Sequence, residues 1–198
     1  MFYSKNVLFL SFIIVMLIVS TSTIMAQNKP FATKGVVELA GNVSFSSLTP
    51  VSNGNTGDAT TFFTLAPQIG YFVSDGVEIG LTTGISLVPG LTVISPSGGE
   101  STTITQFFFS PAYNIITENK SLFPFIEANL GYTSESSGNY SDKGFSWGGR
   151  AGVKIVAANN FLISLAAQYL LITLKPEGAT ERDGFNYLSV SVGVSGYF

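Results

Sequence analysis

The sequence has 198 residues, and only 11% of them are charged, with 9 Lys and Arg against 12 Asp and Glu. An ordinary soluble domain carries about 25% charged residues, so the composition is unusual for that class. The chain has no His and no Cys, which excludes zinc sites of the usual kind, cysteine nucleophiles and triads with a histidine base. A net charge of -3 argues against nucleic acid as a partner bound through a basic surface.

The first 26 residues are organised like a secretory signal peptide. Lys5 provides the positive end, residues 7–19 are apolar, and residues 20–26 are small or polar and finish at Ala26. We expect cleavage after Ala26, which leaves a short N-terminal segment at 27–34 and one domain at 35–198. An uncleaved anchor helix is the alternative, because the apolar run is long for a signal peptide. No charged stop follows it.

From residue 35 onward, apolar and polar residues alternate with period two, as in strands that have two unlike faces. In the first segment Val37, Leu39 and Val43 share the apolar phase, and Glu38 and Asn42 fall between them. The same pattern returns until the chain ends. The eight predicted strands lie near residues 37–46, 63–71, 77–87, 103–115, 123–133, 145–157, 161–171 and 188–198.

The connections alternate in length. Short turns are predicted at 74–76, 117–121 and 158–160, and long polar loops at 49–59, 89–101, 134–144 and 173–184. A barrel in which each strand pairs with the next has tight turns at one rim and longer loops at the other. The predicted fold is therefore all-β: an eight-stranded antiparallel up-and-down transmembrane β-barrel, preceded by a cleaved signal peptide.

The chemistry of the two faces indicates which one meets lipid. The polar phase consists mostly of Gly, Ala, Ser, Thr, Asn and Gln, and the apolar phase carries no charge. A soluble barrel needs many charged residues outside, so we expect the apolar face to point outward and the polar face inward. A soluble lipocalin-like ligand-binding barrel is the alternative. Aromatic residues near the ends of the apolar phase fit interfacial girdles: Phe45, Tyr71, Tyr113, Tyr132, Phe145, Trp147, Tyr169 and Phe198.

The leader, the eight amphipathic strands and the ending at residues 190–198 resemble the OmpX-like family of small bacterial outer-membrane barrels. Residues 124–132 are also similar to a strand common in that family. The resemblance covers the whole mature chain. It implies location in the cell outer membrane, contact with outer-membrane lipids and insertion by the barrel assembly machinery. The C-terminal assembly signal would comprise Val190, Val192, Val194, Tyr197 and Phe198.

Five charged residues share the inward phase of the predicted strands. Because an unpaired buried charge is costly, we expect them to form an ion-pair network that fills the lumen. Symmetry of the hairpin around residues 138–139 places Glu127 opposite Arg150. A gate or a proton path is the alternative for these residues, and a narrow small-solute pore is the alternative for the barrel as a whole. The five are Glu38, Glu78, Glu127, Arg150 and Lys154.

No catalytic, cofactor-binding or metal-binding constellation is evident, and we expect no cofactor. The long loops are predominantly acidic, with Asp58, Glu135 and Asp142 among their charges. The sequence therefore predicts a non-enzymatic protein with a structural or surface-interaction role, in which the outer loops meet an extracellular ligand or surface.

Overall fold

The computed structural model describes residues 29–52, 55–88, 102–137, 140–174 and 183–198. The predicted signal peptide, the whole of the second long loop at 89–101 and most of the fourth lie outside the described residues. Among the described residues, no helix is long and apolar enough to cross a membrane.

The described residues form eight long strands, and a two-residue strand, Asn55–Thr56, folds back on the end of the first. The eight are β1 (Val37–Ser52), β2 (Thr60–Ser74), β3 (Val77–Val88), β4 (Thr102–Asn114), β5 (Leu122–Ser137), β6 (Tyr140–Ala158), β7 (Phe161–Leu174) and β8 (Asp183–Tyr197). The turns after β2, β4 and β6 lie at one end of the molecule, here called the turn end. The opposite end is called the loop end.

The sheet closes into a barrel. Each strand pairs antiparallel with the next, and β8 pairs with β1. This closing seam runs from Glu38 opposite Tyr197 to Val51 opposite Gly184. A closed sheet has no edge whose N–H and C=O groups would lack partners in hydrocarbon. The predicted eight-stranded antiparallel barrel is confirmed.

Two of the predicted loops are shorter than expected, because the strands continue further at the loop end. β5 reaches Ser137 and β6 begins at Tyr140, so residues 134–144 form a hairpin rather than a long loop. β1 likewise extends to Ser52 within the predicted loop at 49–59. In the β5 and β6 extensions both faces of the strands are largely polar, so the period-two alternation that reveals a half-buried strand is lost. The β1 extension at 49–52 is too short to show a period.

The outward face of the barrel is an apolar belt. Its side chains are large and about half exposed, as Val43 at 50% and Val190 at 54% illustrate. From the turn end up to Phe145, no described outward-facing strand residue is charged, and the outward-facing Lys143 lies beyond Phe145. A continuous belt of this kind exceeds the apolar patches of soluble monomers, which disfavours the lipocalin-like alternative.

Exposed aromatic residues form two rings at the margins of the belt. Near the loop end they are Phe45, Phe63, Phe107, Tyr132, Phe145, Trp147 and Tyr169, and near the turn end Tyr71, Tyr113 and Phe161. Such rings are typical of the two membrane–water interfaces. The belt between them is the surface that meets the hydrocarbon.

A positive charge at mid-belt should weaken the barrel in a depth-dependent way. Val192 lies opposite Val43 on β1 and Leu165 on β7, midway between the rings. We expect Val192→Arg to lower the free energy of unfolding in lipid vesicles by roughly 2 to 4 kcal/mol, and Leu188→Arg, nearer the loop-end ring on the same strand, by about 1 kcal/mol or less. Equal losses for the two variants, measured by urea titration, would contradict the assigned membrane depth.

Candidate functional site

Inward-facing side chains fill the barrel in layers from one end to the other. Because strand residues alternate between the faces, every second residue of each strand points into the lumen. The five predicted lumen charges all do so, and each is no more than 9% exposed. They form two clusters at different heights.

The lower ion cluster joins Lys154 to two glutamates near the turn end. Lys154 Nζ donates to Glu38 Oε2 at 2.6 Å and to Glu78 Oε2 at 3.1 Å. Asn114 Nδ2 donates to the same Glu78 oxygen at 3.1 Å. The Glu78 carboxylate rests on Gly70 of β2, where a Cβ would overlap it. The three strands β1, β3 and β6 are thus tied together across the lumen.

The upper ion cluster contains one acid and one base together with two neutral side chains. Glu127 and Arg150 are cross-strand neighbours on β5 and β6, and Arg150 NH1 lies 3.7 Å from Glu127 Oε2. Gln68 donates to the same Glu127 oxygen at 2.9 Å and accepts from Arg150 at 3.2 Å. Arg150 NH2 also donates to Asn42 Oδ1 at 2.8 Å. Arg150 therefore contacts both neighbouring and distant strands.

An aromatic ring separates the two cations. The ring of Phe125 lies 5.3 Å from the Arg150 guanidinium carbon and 5.2 Å from Lys154 Nζ. Lys154 Nζ is also 5.2 Å from the ring of Phe31, which belongs to the N-terminal segment. The electron-rich faces of aromatic rings attract cations, so Phe125 stabilises two buried positive charges without a further carboxylate.

A small polar cavity lies above the upper ion cluster. Its volume is about 30 Å³, and Thr82, Gln106, Arg150 and Tyr187 are among its lining residues. At about 10–15 Å³ per water, this is room for two or three water molecules. The Tyr187 hydroxyl, 2.8 Å from Ser46 Oγ, joins a group of buried hydroxyls between this cavity and the loop end.

Both ends of the lumen are apolar, which corrects the expectation of a polar inward face along the whole barrel. The apical cluster, at the loop end, consists of Leu48, Phe62, Ile104, Phe108, Leu170, Ile172, Phe185 and Tyr187. The basal cluster, at the turn end, consists of Phe31, Ala32, Val36, Phe72, Phe123 and Leu162. A lumen without through-flowing water gains stability from apolar packing, as a soluble core does.

The residues of the predicted assembly signal divide between the faces of β8. Val190, Val192 and Val194 face outward and are about half exposed, at 54%, 55% and 50%. Tyr197 points inward and packs against the basal cluster. Phe198 is partly exposed, and its backbone exchanges two hydrogen bonds with Val37 at the seam.

Two acidic residues face each other near the tip of the β5–β6 hairpin. Glu135 lies directly opposite Asp142. It is three residues beyond Tyr132 of the aromatic ring, or about 10 Å of strand, and therefore outside the hydrocarbon. Burial raises the pKa of Glu135 to about 7, and the Asp142 carboxylate adds to the increase.

Some of this interior could have been found from the sequence. Asn42, Gln68 and Asn114 share the inward phase with the predicted charges. The period-two alternation therefore predicts that they face the lumen beside those charges. Phe31 was not, because it precedes the alternating region. Among the described residues, no group of three or more Asp, Glu, His or Cys is placed to hold a metal ion.

The fold has close counterparts among solved structures. Neisserial surface protein A superimposes with a TM-score of 0.66 and 14% identity over 83% of this chain and 100% of that one. This is the fold of the small outer-membrane β-barrels. The outer membrane protein AlkL, solved in lipid bilayers, has this fold too, with a TM-score of 0.54 and 18% identity over 88% of this chain and 97% of that one. No protein-family model and no curated protein matches the sequence.

Neutralising one member of the upper ion cluster should destabilise the barrel without preventing insertion. Glu127→Gln keeps the side-chain volume but leaves the buried Arg150 without its carboxylate, so we expect the free energy of unfolding to fall by about 3 kcal/mol. Adding Arg150→Met should recover part of that loss. Urea titrations compare Glu127→Gln, Arg150→Met and the double variant. Strictly additive losses in the free energy of unfolding would show that the two side chains do not interact.

The Glu135–Asp142 contact should make the stability of the hairpin depend on pH. The pKa of Glu135 is raised from 4.5 to about 7, so the folded chain holds this proton more tightly than the unfolded chain does. The protonated Glu135 therefore contributes its full stabilisation of the hairpin below about pH 4.5. This contribution is lost as the pH rises through about 7. Glu135→Gln should remove this dependence and stabilise the hairpin at pH 8 by up to about 1 kcal/mol. Amide hydrogen exchange at the hairpin tip between pH 5 and 8 measures it; an unchanged pH dependence in the variant would refute the assignment.

Proposed function

We propose that the chain is an integral outer-membrane barrel with a sealed lumen, whose role is structural or surface-interacting rather than enzymatic. The observation that carries the proposal is the combination of an uncharged apolar belt with a filled interior. The belt suits contact with outer-membrane lipids, and the filled interior leaves the loop end as the part that can meet another molecule.

The interior is closed by three kinds of contact in series. The apical and basal clusters are apolar, and the two ion clusters between them engage all five predicted lumen charges with partners. The cavity of about 30 Å³ is far smaller than a path for hydrated ions. Eight strands leave an interior just wide enough for side chains, which agrees with a sealed lumen.

The residues available for chemistry favour a non-enzymatic role. The chain has neither His nor Cys. Three of the four buried strand carboxylates belong to the ion clusters: Glu38 and Glu78 bind Lys154, and Glu127 binds Arg150 and Gln68. The fourth, Glu135, lies opposite Asp142 near the loop end. None of the three is left free to act as a general base towards a substrate.

Export and assembly complete the proposal. The signal peptide at 1–26 is removed after Ala26, the mature chain reaches the periplasm, and the assembly machinery recognises the last strand. The outward side chains of Val190, Val192 and Val194 are accessible at the seam where β8 closes on β1. The predicted extracellular ligand or surface is met at the loop end, where the Glu135–Asp142 hairpin tip contributes negative charge.

Fractionation and conductance test this function together. Refolded protein should migrate as a compact band on an unheated gel, remain in the membrane fraction after alkaline extraction, and give no sustained channels in a planar bilayer. A 16-stranded porin in the same cell verifies the recording, because its lumen is an aqueous channel.

The alternatives give different results. Sustained unitary conductance would replace the sealed barrel by the narrow small-solute pore. Recovery of the mature protein in the soluble periplasmic fraction would contradict the membrane assignment itself.

A further inference from the structure

The two apolar ends of the lumen differ in the origin of their residues. Every residue of the apical cluster belongs to a barrel strand. In the basal cluster, Phe31, Ala32 and Val36 come from the segment that precedes β1. Half of the basal seal is thus supplied by residues that are not part of the strand ladder.

Phe31 is the centre of this basal seal. Its ring packs edge-on against Phe72 of β2 at 5.2 Å and Phe123 of β5 at 5.0 Å between centroids. Tyr197 of β8 lies 5.3 Å away. Phe31 is 3% exposed and contacts side chains of three strands, so its ring lies across the lumen at the turn end.

Among the described residues, four hydrogen bonds join the segment to the barrel. Gly35 N–H donates to Phe72 O, and Phe72 N–H donates to Val36 O. Gly76 N–H donates to Ala32 O, and Lys34 N–H donates to Asp75 Oδ1 at 2.8 Å. Two of the segment's residues have left-handed backbone conformations, Ala32 at φ 63° and Gly35 at φ 87°. For Ala32, a residue with a Cβ, this conformation is unfavourable and opposes the closed arrangement.

The groups behind the seal would tolerate water. Directly above Phe31 lie Lys154 and its two glutamates, and the Glu78 Oε1 atom has no hydrogen-bond partner among the described residues. Hydration of buried charges is favourable, so opening the basal end exposes polar groups that gain solvation. The groups directly behind the apical cluster are neutral hydroxyls such as those of Ser46 and Thr64, which gain less from hydration than charges do.

We propose that residues 30–36 are a displaceable periplasmic plug: the barrel ladder is complete without them, and their withdrawal opens the lower lumen to the periplasm as far as the Arg150–Glu127 layer. This inference rests on the proposed membrane barrel, which places the turn end on the periplasmic side. The ladder from Glu38 to Val51 on β1 stays paired with β8 when the plug is withdrawn. The apical cluster keeps the lumen closed to the outside throughout.

The absence of Cys from the chain makes thiol labelling a direct test. Ser195, 4% exposed, faces the lower lumen opposite Leu162 of the basal cluster, and Ser44, 7% exposed, lines the cavity above the Arg150–Glu127 layer. Ser195→Cys and Ser44→Cys therefore report on the two sides of that layer. Lys120→Cys, in the exposed turn after β4, gives the unprotected rate. The reagent is a charged thiol-specific methanethiosulfonate, and the protein is held in lipid nanodiscs.

With Phe31 present, both buried reporters should react far more slowly than Lys120→Cys. Phe31→Ala should accelerate labelling of Ser195→Cys by about a hundredfold, the factor that loss of a buried phenyl ring produces in a local equilibrium. Labelling of Ser44→Cys should not change. The matched control, Phe62→Ala in the apical cluster, removes the same side chain at the other end and should leave Ser195→Cys protected.

Three results would overturn the plug. The first is that Ser195→Cys reacts as fast as Lys120→Cys with Phe31 in place. The second is that Phe31→Ala leaves Ser195→Cys protected. The third is that Phe31→Ala accelerates both reporters equally, which indicates global unfolding. If Phe31→Ala gives no compact band, the two reporters are compared in low urea in chains that keep Phe31. The proposal then predicts that Ser195→Cys reacts faster than Ser44→Cys, and equal rates refute it. A chain that is soluble refutes the membrane barrel, whereas an inserted chain with an unresponsive Ser195→Cys refutes the plug alone.

Discussion

Backbone hydrogen bonding in hydrocarbon is the constraint on which the rest of this structure depends. An unpaired N–H or C=O group costs several kcal/mol in the bilayer core, so the sheet must close, and β8 must pair with β1 along the whole spanning region. Closure divides the side chains into an outward set in lipid and an inward set that shares a narrow cylinder. The low charge content of the chain follows from the outward set, because charges are excluded from the belt.

The inward set has a different problem, since it must place charges where little water reaches them. The chain concentrates the charges of the belt region in two inward clusters, with Phe125 between the cations and apolar side chains above and below. Neutral partners such as Gln68 and Asn42 complete the hydrogen bonds that the ions alone leave unmade. The interior therefore combines a polar network with an apolar cluster at each end.

The architecture was readable from the sequence because lipid and lumen impose opposite chemistries on alternate residues. The same alternation and the hairpin symmetry pair Glu127 with Arg150, and these are neighbours in the sheet. Where both phases are polar in sequence, as near Glu135 and Asp142, the alternation disappears and the predicted strands are too short. The contacts of Phe31 had no local signal at all, because they join the N-terminal segment to strands far away in sequence.

The central claim, that the apolar belt lies in lipid, can be measured with the single tryptophan of the chain. Trp147 faces outward in the loop-end ring at 48% exposure. In vesicles that contain lipids brominated at defined acyl depths, the account predicts blue-shifted Trp147 emission. It also predicts the strongest quenching by bromines near the headgroup end of the chains and little quenching by acrylamide. Red-shifted emission that acrylamide quenches and brominated lipids do not would place Trp147 in water and contradict the account.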